Sequence, residues 1–254
     1  MIVSLSGPKG VGKDTVAKIW HIITENPHFN DDAVLNFIER DLYPPGKWLQ
    51  KKWAAIPNTA YALITGVNYS NLPREEKEKE RKKFISFADY YMKICFGDDI
   101  WVNRLISEYQ PYDKGVVWKE KPENLSKGYR HSKCHNCEKS FTGEKRALYC
   151  NSCIEDNSVQ RYPNWLISDT RLKIEFDKVK ELGGVNIYIN RSDIEIDYSH
   201  RTETELIGAP FDYFMQLRPG DLRYTIALVR DLIDIIDTDR GISDNNVFIT
   251  QNNL

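Results

Sequence analysis

Short apolar runs alternate with amphipathic stretches along this chain, and the alternation predicts its elements. The residues before Gly7 read as a short apolar strand. Val16, Ala17, Ile19, Trp20 and Ile23 recur at helical spacing and predict a helix over 15–24. A turn is expected at 26–30 and a strand at 33–37. Pro44-Pro45-Gly46 marks a break, and 47–55 reads as helix. The mixed-charge run 74–83 predicts a solvated helix with i,i+4 pairs. Residues 84–96 read as a buried helix with Cys95 in the core, and helix resumes over 100–109 after Gly97-Asp98-Asp99.

The pattern changes at 111–157, which is polar and rich in Lys and Glu. It resumes with a strand at 164–169 that ends in a carboxylate, then a helix over 172–182 stopped by Gly183-Gly184. A strand follows at 185–189. Residues 191–205 are charged without clear periodicity, as a lid would be. A strand at 211–217, a Pro219-Gly220 turn and an amphipathic helix over 221–236 complete the pattern. The polar tail beyond Arg240 is expected to be poorly ordered. Strands alternating with helices imply an α/β fold, a parallel sheet with helices on both faces. The expected domains are a core of 1–110 and 162–254 and an insert of 111–161.

The insert carries four of the five cysteines, as Cys134-x2-Cys137, twelve residues, Cys150-x2-Cys153. This is the thiolate spacing of a zinc ribbon. Zn2+ is the default metal and iron in a rubredoxin-like site the lesser option. Four thiolates fill a tetrahedral shell, so His131 and His135 are read as bystanders. So small a segment buries little apolar surface, and a metal would supply its folding energy.

Net charge is −2 over 254 residues, so no global basic field favours non-specific nucleic-acid binding. The Lys119, Lys121, Lys127, Arg130, Lys133 flank of the cysteines reads as solvated charge. There is no apolar run of about 18 residues, so no membrane span is expected. The chain enters a strand at once, without the pattern of a secretory signal, and a cytoplasmic protein is expected.

Between the first strand and helix stands Gly7-x4-Gly12-Lys13, the Walker A spacing of a phosphate-binding loop. Successive backbone N–H groups in such a loop face an anion, and the following helix N-terminus adds partial positive charge. Gly7, Gly10, Val11, Gly12, Lys13, Asp14 and Thr15 are therefore read as the nucleotide-binding set, with Lys13 bridging the β- and γ-phosphates. Asp14 takes the place of the usual Ser/Thr. A carboxylate beside a triphosphate is costly without a metal or substrate proton to offset it, so Asp14 is read as a working residue. In a parallel sheet the site lies at the carboxyl ends of the strands. Asp169-Thr-Arg171-x3-Glu175 is placed there, either facing one pocket or forming a helix N-terminal acid with an i,i+4 Arg–Glu pair.

These blocks resemble phage deoxynucleoside monophosphate kinases. The resemblance rests on Gly7-x-Lys9-x2-Gly12-Lys13-Asp14-Thr15, on Trp165-Leu-Ile-Ser-Asp169-Thr-Arg171 with Glu175, and on Leu182-Gly-Gly-Val185. His200-x-Thr202-Glu203 with Leu206, and Gly97-Asp98 with Trp101-Val102, add to it. It implies a P-loop NTPase-type fold, ATP and Mg2+ as cofactors, and transfer of the ATP γ-phosphoryl group to the 5′-phosphate of a deoxynucleotide. Gly10, Gly12, Lys13 and Thr15 would hold the ATP phosphates, and Lys9 would reach the acceptor phosphate. Asp14 would bind Mg2+ or its water, or position the acceptor oxygen. Arg171 would neutralise the transferring group, and Glu175 would contact the acceptor nucleotide. Lys13, Asp14, Asp169 and Arg171 form the catalytic set, and Arg191 and Arg201 are lid candidates over ATP.

Two features depart from the family. Its acceptor-binding arginine is missing from Phe87-Ala-Asp-Tyr-Tyr-Met92, which shifts acceptor binding to Lys47, Arg74 or Arg104. The cysteine insert is the other, and a structural or partner-binding role is expected for it. The family suggests a homodimer. Competing readings are a dephospho-CoA or phosphomevalonate type of kinase, and a zinc-ribbon nucleic-acid-binding ATPase.

Overall fold

The computed structural model describes residues 1–42, 48–110, 129–134, 137–144, 150, 152–153, 163–196, 198, 201–238 and 247–249. The chain divides into two compact units, Met1–Ile106 with Asn164–Leu254, and Ser107–Pro163. The strands are β1 (Ile2–Ser6), β2 (Trp48–Lys51), β3 (Tyr129–Lys133), β4 (Ser140–Glu144), β5 (Asn164–Ile167), β6 (Val185–Arg191), β7 (Tyr213–Leu217) and β8 (Val247–Ile249). The helices are α1 (Lys13–Glu25), α2 (Asp31–Glu39), α3 (Ala55–Thr65), α4 (Arg74–Ile85), α5 (Met92–Phe96), α6 (Ile100–Ile106), α7 (Lys173–Glu181), α8 (Arg201–Thr204) and α9 (Leu222–Thr238).

In the larger unit, five parallel strands run in the order β2-β5-β1-β6-β7, and the short β8 extends the β7 edge. All five residues of β1 are buried, as a central parallel strand requires. Val3, Leu5, Ile187 and Ile189 point to one face, where α1, α2 and α9 cover them through Ile19, Trp20, Val34, Leu228 and Leu232. Burying one such side chain contributes roughly 1.5–3 kcal/mol. On the other face Phe176 of α7 packs with Leu206, Phe211, Tyr188 and Phe214. Leaving β1, the chain goes out to edge strand β2 and returns through β5. It then crosses β1 to reach β6. The carboxyl end of β1 is thus a topological switch point, the place where open parallel sheets bind ligands.

The elements around this sheet depart from the sequence pattern in several places. Residues 33–37, expected as a strand, lie inside α2. The Asn30 side chain accepts a hydrogen bond from the Ala33 N–H at 2.9 Å, and Asp31 and Asp32 follow in the first turn. That cap and the helix dipole favour helix there. Residues 47–55, expected as a helix, hold β2 instead. Trp48 meets Trp20 edge-on, with ring centroids 5.6 Å apart, and pairs with Asn164 in the ladder, so tertiary contact overrides the local pattern. Residues 84–96 are helical, with a π-helical stretch at Ser86–Tyr91, but within them only Ala88 is buried. Tyr90, Tyr91, Ile94 and Phe96 are exposed, and so is Cys95, which is no core residue. The tail contributes β8, while its remaining residues lie outside the described set. The helix stop at Gly183 takes the expected form. Gly183 has φ +67°, its N–H bonds the Lys180 carbonyl, and the Gly184 N–H bonds that of Val179. Among the described residues no helix is long and apolar enough to cross a membrane.

The smaller unit is built on an antiparallel hairpin. β3 pairs with β4 from Tyr129↔Glu144 to Lys133↔Ser140. Cys134, Phe141, Cys150 and Cys153 form its buried cluster, with Cys137 packed against it.

Candidate functional site

The loop between β1 and α1 starts with a steric constraint. A Cβ on Gly7 would stand 2.1 Å from the Ile189 carbonyl oxygen of β6, and Gly7 has φ +132°. Only glycine lets the chain leave β1 so close to its neighbour strand. Gly12, at φ +107°, then turns the chain into α1. Lys13 is buried, and its Nζ donates to the carbonyl oxygens of Gly7 at 2.7 Å and Pro8 at 2.8 Å. Within this stretch the Lys9 N–H donates to Glu203 and the Val11 N–H to the Pro8 carbonyl. The N–H groups of Gly10, Gly12, Lys13, Asp14 and Thr15 meet no hydrogen-bond acceptor among the described residues. The switch point therefore presents a row of open backbone donors at a helix N-terminus, an arrangement suited to an anion.

Charged side chains from separate strand ends converge here. Burial, and after it the nearby Arg171 guanidinium, lower the Lys13 ammonium to about 8, against the pull of Glu203, Asp14 and Asp169. Asp14 Oδ1 accepts from the Ser168 hydroxyl at 2.7 Å, at the end of β5, and meets Lys52 Nζ at 2.9 Å, just past β2. Burial opposes its ionisation, but the Ser168 and Lys52 hydrogen bonds prevail and hold the carboxyl below its ordinary range. Arg171 donates to Glu203 Oε1 at 2.6 Å, and Glu203 Oε2 accepts the Lys9 N–H at 2.8 Å.

Two sequence candidates turn out to hold backbone. Asp169 Oδ1 and Oδ2 accept the N–H groups of Trp53 at 2.8 Å and Ala54 at 3.1 Å, and so cap the entry to α3 from the end of β5. Burial raises its pKa, while the hydrogen bonds from Ala54 and Trp53 oppose that rise. Glu175 Oε2 accepts the N–H groups of Arg171 at 2.8 Å and Leu172 at 3.0 Å, the reach-back of a residue at the third position of α7. Burial pushes its carboxyl up to about 7. Glu175 thus meets the backbone of Arg171, while the Arg171 side chain turns to Glu203. Thr170 ties the same region together, accepting from the Ser4 hydroxyl at 2.7 Å and from Trp53 Nε1 at 2.9 Å.

Lys9 is exposed and engaged through its backbone. Arg191 pairs with Asp193 at 2.6 Å, and exposed Arg201 pairs with Glu205. Arg74 opens α4 and Arg104 lies in α6, both exposed. Lys47, His135, His200, Lys119, Lys121 and Lys127 lie outside the described residues. A cleft of about 490 Å³ lies beside α6, α7 and α8, lined in part by Lys93, Lys173, Lys178 and Arg201. Each of these cations is paired with an acid, and none of the residues of the loop lines the cleft.

The structure adds Lys52, Ser168 and Glu203 to the site. Lys52 was hidden by the expectation of helix over 47–55, which removed the strand end that carries it. Ser168 precedes Asp169 at a strand end and was legible in principle. Glu203 reaches Lys9 across 194 positions of sequence, and no local spacing signals that contact.

In the smaller unit, the four cysteines place one sulfur each within 4.8 Å of the others and can hold a metal ion. Cys137 Sγ and Cys150 Sγ are 3.7 Å apart, and the Cys150 N–H donates to Cys134 Sγ at 3.3 Å. Tetrahedral ligands at about 2.3 Å from zinc stand about 3.8 Å from one another, so the spacing fits. Burial pushes the Cys150 thiol up to about 12, so a thiolate there calls for a cation. His131 Nδ1 lies 2.7 Å from the Thr142 hydroxyl, engaged across the hairpin.

Compared with known proteins, the chain matches no protein-family model and no curated protein sequence.

Proposed function

We propose that this protein is an ATP-dependent phosphotransferase that moves the γ-phosphoryl group of ATP to the phosphate of a deoxynucleoside monophosphate, giving the diphosphate. The reading rests chiefly on one observation. A row of open backbone donors, the buried Lys13 and the Arg171 guanidinium meet at the switch point of a parallel sheet. Phosphoryl transfer asks a protein for positioning and charge neutralisation, and this set supplies both. In the reaction an acceptor phosphate oxygen attacks the γ-phosphorus, and the bond to the bridging oxygen of ADP breaks. The loop amides and Lys13 would bind the β- and γ-phosphates, and Arg171 would face the charge of the moving group. Asp14, kept ionised by Ser168 and Lys52, and the Thr15 hydroxyl are the hard oxygen donors that would hold Mg2+, which would supply positive charge against the nucleotide phosphates. Lys52 is the cation best placed to meet the acceptor phosphate, since it stands on Asp14 at the β2 end. The deoxynucleotide as acceptor comes from the family resemblance.

We further infer that the four cysteines bind Zn2+ as a structural ion. Metal analysis of the purified chain tests this, with one zinc per chain expected.

A coupled ADP-release assay tests the activity, with Mg-ATP against dGMP, dTMP, dCMP, dAMP and their ribose counterparts. ADP release that depends on one or more deoxynucleotides is expected. Release without any acceptor would make the protein an ATPase, and silence with all eight would remove the monophosphate as acceptor.

A further inference from the structure

Glu203 stands where an anionic ligand would be expected. Its side chain is 7% exposed, and its two oxygens take different donors, Arg171 at 2.6 Å and the Lys9 N–H at 2.8 Å. A carboxylate that bridges a guanidinium and a glycine-loop amide makes the contacts that two oxygens of a phosphate would make. It also neutralises Arg171 beside the buried Lys13. The same segment has a second anchor two residues on, where Glu205 Oε1 accepts the Lys173 N–H at the start of α7 at 2.8 Å. Glu205 also pairs with Arg201. Buried Leu206 holds the segment as well, so releasing Glu203 leaves other anchors in place.

We propose that Glu203 is an internal counter-anion of the phosphate site, a carboxylate that holds the Lys9 N–H and Arg171 until a polyphosphate displaces it. The proposal rests on the phosphotransferase reading and adds to it a residue that sets the affinity for the phosphate chain. Displacement has two consequences. Arg171 and the loop amide pass from Glu203 to the ligand, so the two donors act only once the phosphate is seated. The α8 segment loses one of its anchors, so phosphate binding loosens it.

The test is calorimetric titration of the full chain with tripolyphosphate, which has no base, and with Mg-ATP. Wild type is compared with Glu203→Gln and with Glu181→Gln, which removes an equal charge from an exposed pair on α7. Glu203→Gln is expected to bind both ligands about tenfold more tightly, and Glu181→Gln to match wild type. Tighter tripolyphosphate binding with no ATP binding would sustain the counter-anion and remove the nucleotide. ATP binding that is unchanged or weaker in Glu203→Gln would overturn the counter-anion and leave the nucleotide reading standing. If neither ligand binds to any of the chains, both ideas fall. Should Glu203→Gln not fold, hydrogen exchange on wild type decides. Tripolyphosphate is expected to speed exchange of the Glu205 and Ile207 amides, which bond the Arg201 and Thr204 carbonyls. Unchanged or slower exchange there would count against displacement.

Discussion

The two units of this chain solve the same problem by different means. The larger unit covers both faces of a parallel sheet, and residues such as Leu5, Ile19, Leu166 and Ile187 are completely buried. Among its described residues the smaller unit buries Phe141 and three of its cysteines around a two-stranded hairpin, a cluster with little apolar surface to offset chain entropy. Its four cysteine sulfurs lie close enough together to hold a metal ion, which on the zinc proposal would supply its stability. The larger unit can therefore bury a charged group such as Lys13 within its loop, while the described buried positions of the smaller unit are mostly its cysteines.

Metal removal tests this contrast with the largest expected effect. Structural zinc supplies apparent free energies of about 10–16 kcal/mol in small zinc-bound peptides. A zinc-selective chelator, or Cys134→Ser with Cys137→Ser, is expected to abolish hairpin protection in hydrogen exchange and to leave the main thermal transition within a few degrees. Loss of both units together would show that the larger one leans on the smaller. Next comes Lys13→Ala, expected to lower phosphoryl transfer by at least about a hundredfold, as for loss of one preorganised donor to the transition-state charge. Full activity in that variant would remove the loop from the chemistry.

Much of the larger unit was legible in the sequence, because β1, α1, α7 and α9 carry clear periods of their own. The edge was not. β2 is a strand through its ladder with β5 and the Trp20–Trp48 contact, and neither is local. Losing β2 concealed Lys52. At the site, Lys13 and its loop were readable from glycine spacing, since Gly7 answers to a backbone constraint that only glycine meets. An acid at a strand end can serve a ligand or a helix N-terminus, and Asp169 and Glu175 here accept backbone N–H groups, for Asp169 a partnership that no local spacing signals.

A smaller effect follows for Glu175. Glu175→Ala leaves two backbone amides without their carboxylate and is expected to cost about 1–3 kcal/mol in denaturant unfolding. Glu175→Gln keeps an accepting oxygen and is expected to be far milder. The pH dependence follows from the shift of its pKa from the ordinary 4.5 to about 7. The folded state holds the proton between these values, so the stability Glu175 contributes is lost as pH rises through about 7. The Gln variant is expected to flatten that slope, and an unchanged slope would assign it to other groups.

The last effect is the pH dependence of Lys13. Its ammonium titrates near 8 in the protein, below the ordinary 10.5. The unfolded chain binds the proton between these values and the folded chain does not, so in this window stability rises with pH. A polyphosphate favours the protonated form. ATP affinity is therefore expected to fall as pH rises above about 8, approaching tenfold per pH unit, with proton uptake on binding. Affinity that is flat to pH 10 would mean that Lys13 does not meet the phosphates.

The central claim is that the glycine loop carries phosphoryl transfer and the cysteine unit does not. Its most direct measurement uses ATP labelled in the γ-phosphate, with the deoxynucleoside monophosphates as acceptors and Mg2+ in excess. The reaction is followed before and after zinc is stripped. The account expects label in a deoxynucleoside diphosphate in both cases. Label found only in inorganic phosphate, or transfer that vanishes with the zinc while the larger unit stays folded, would contradict it.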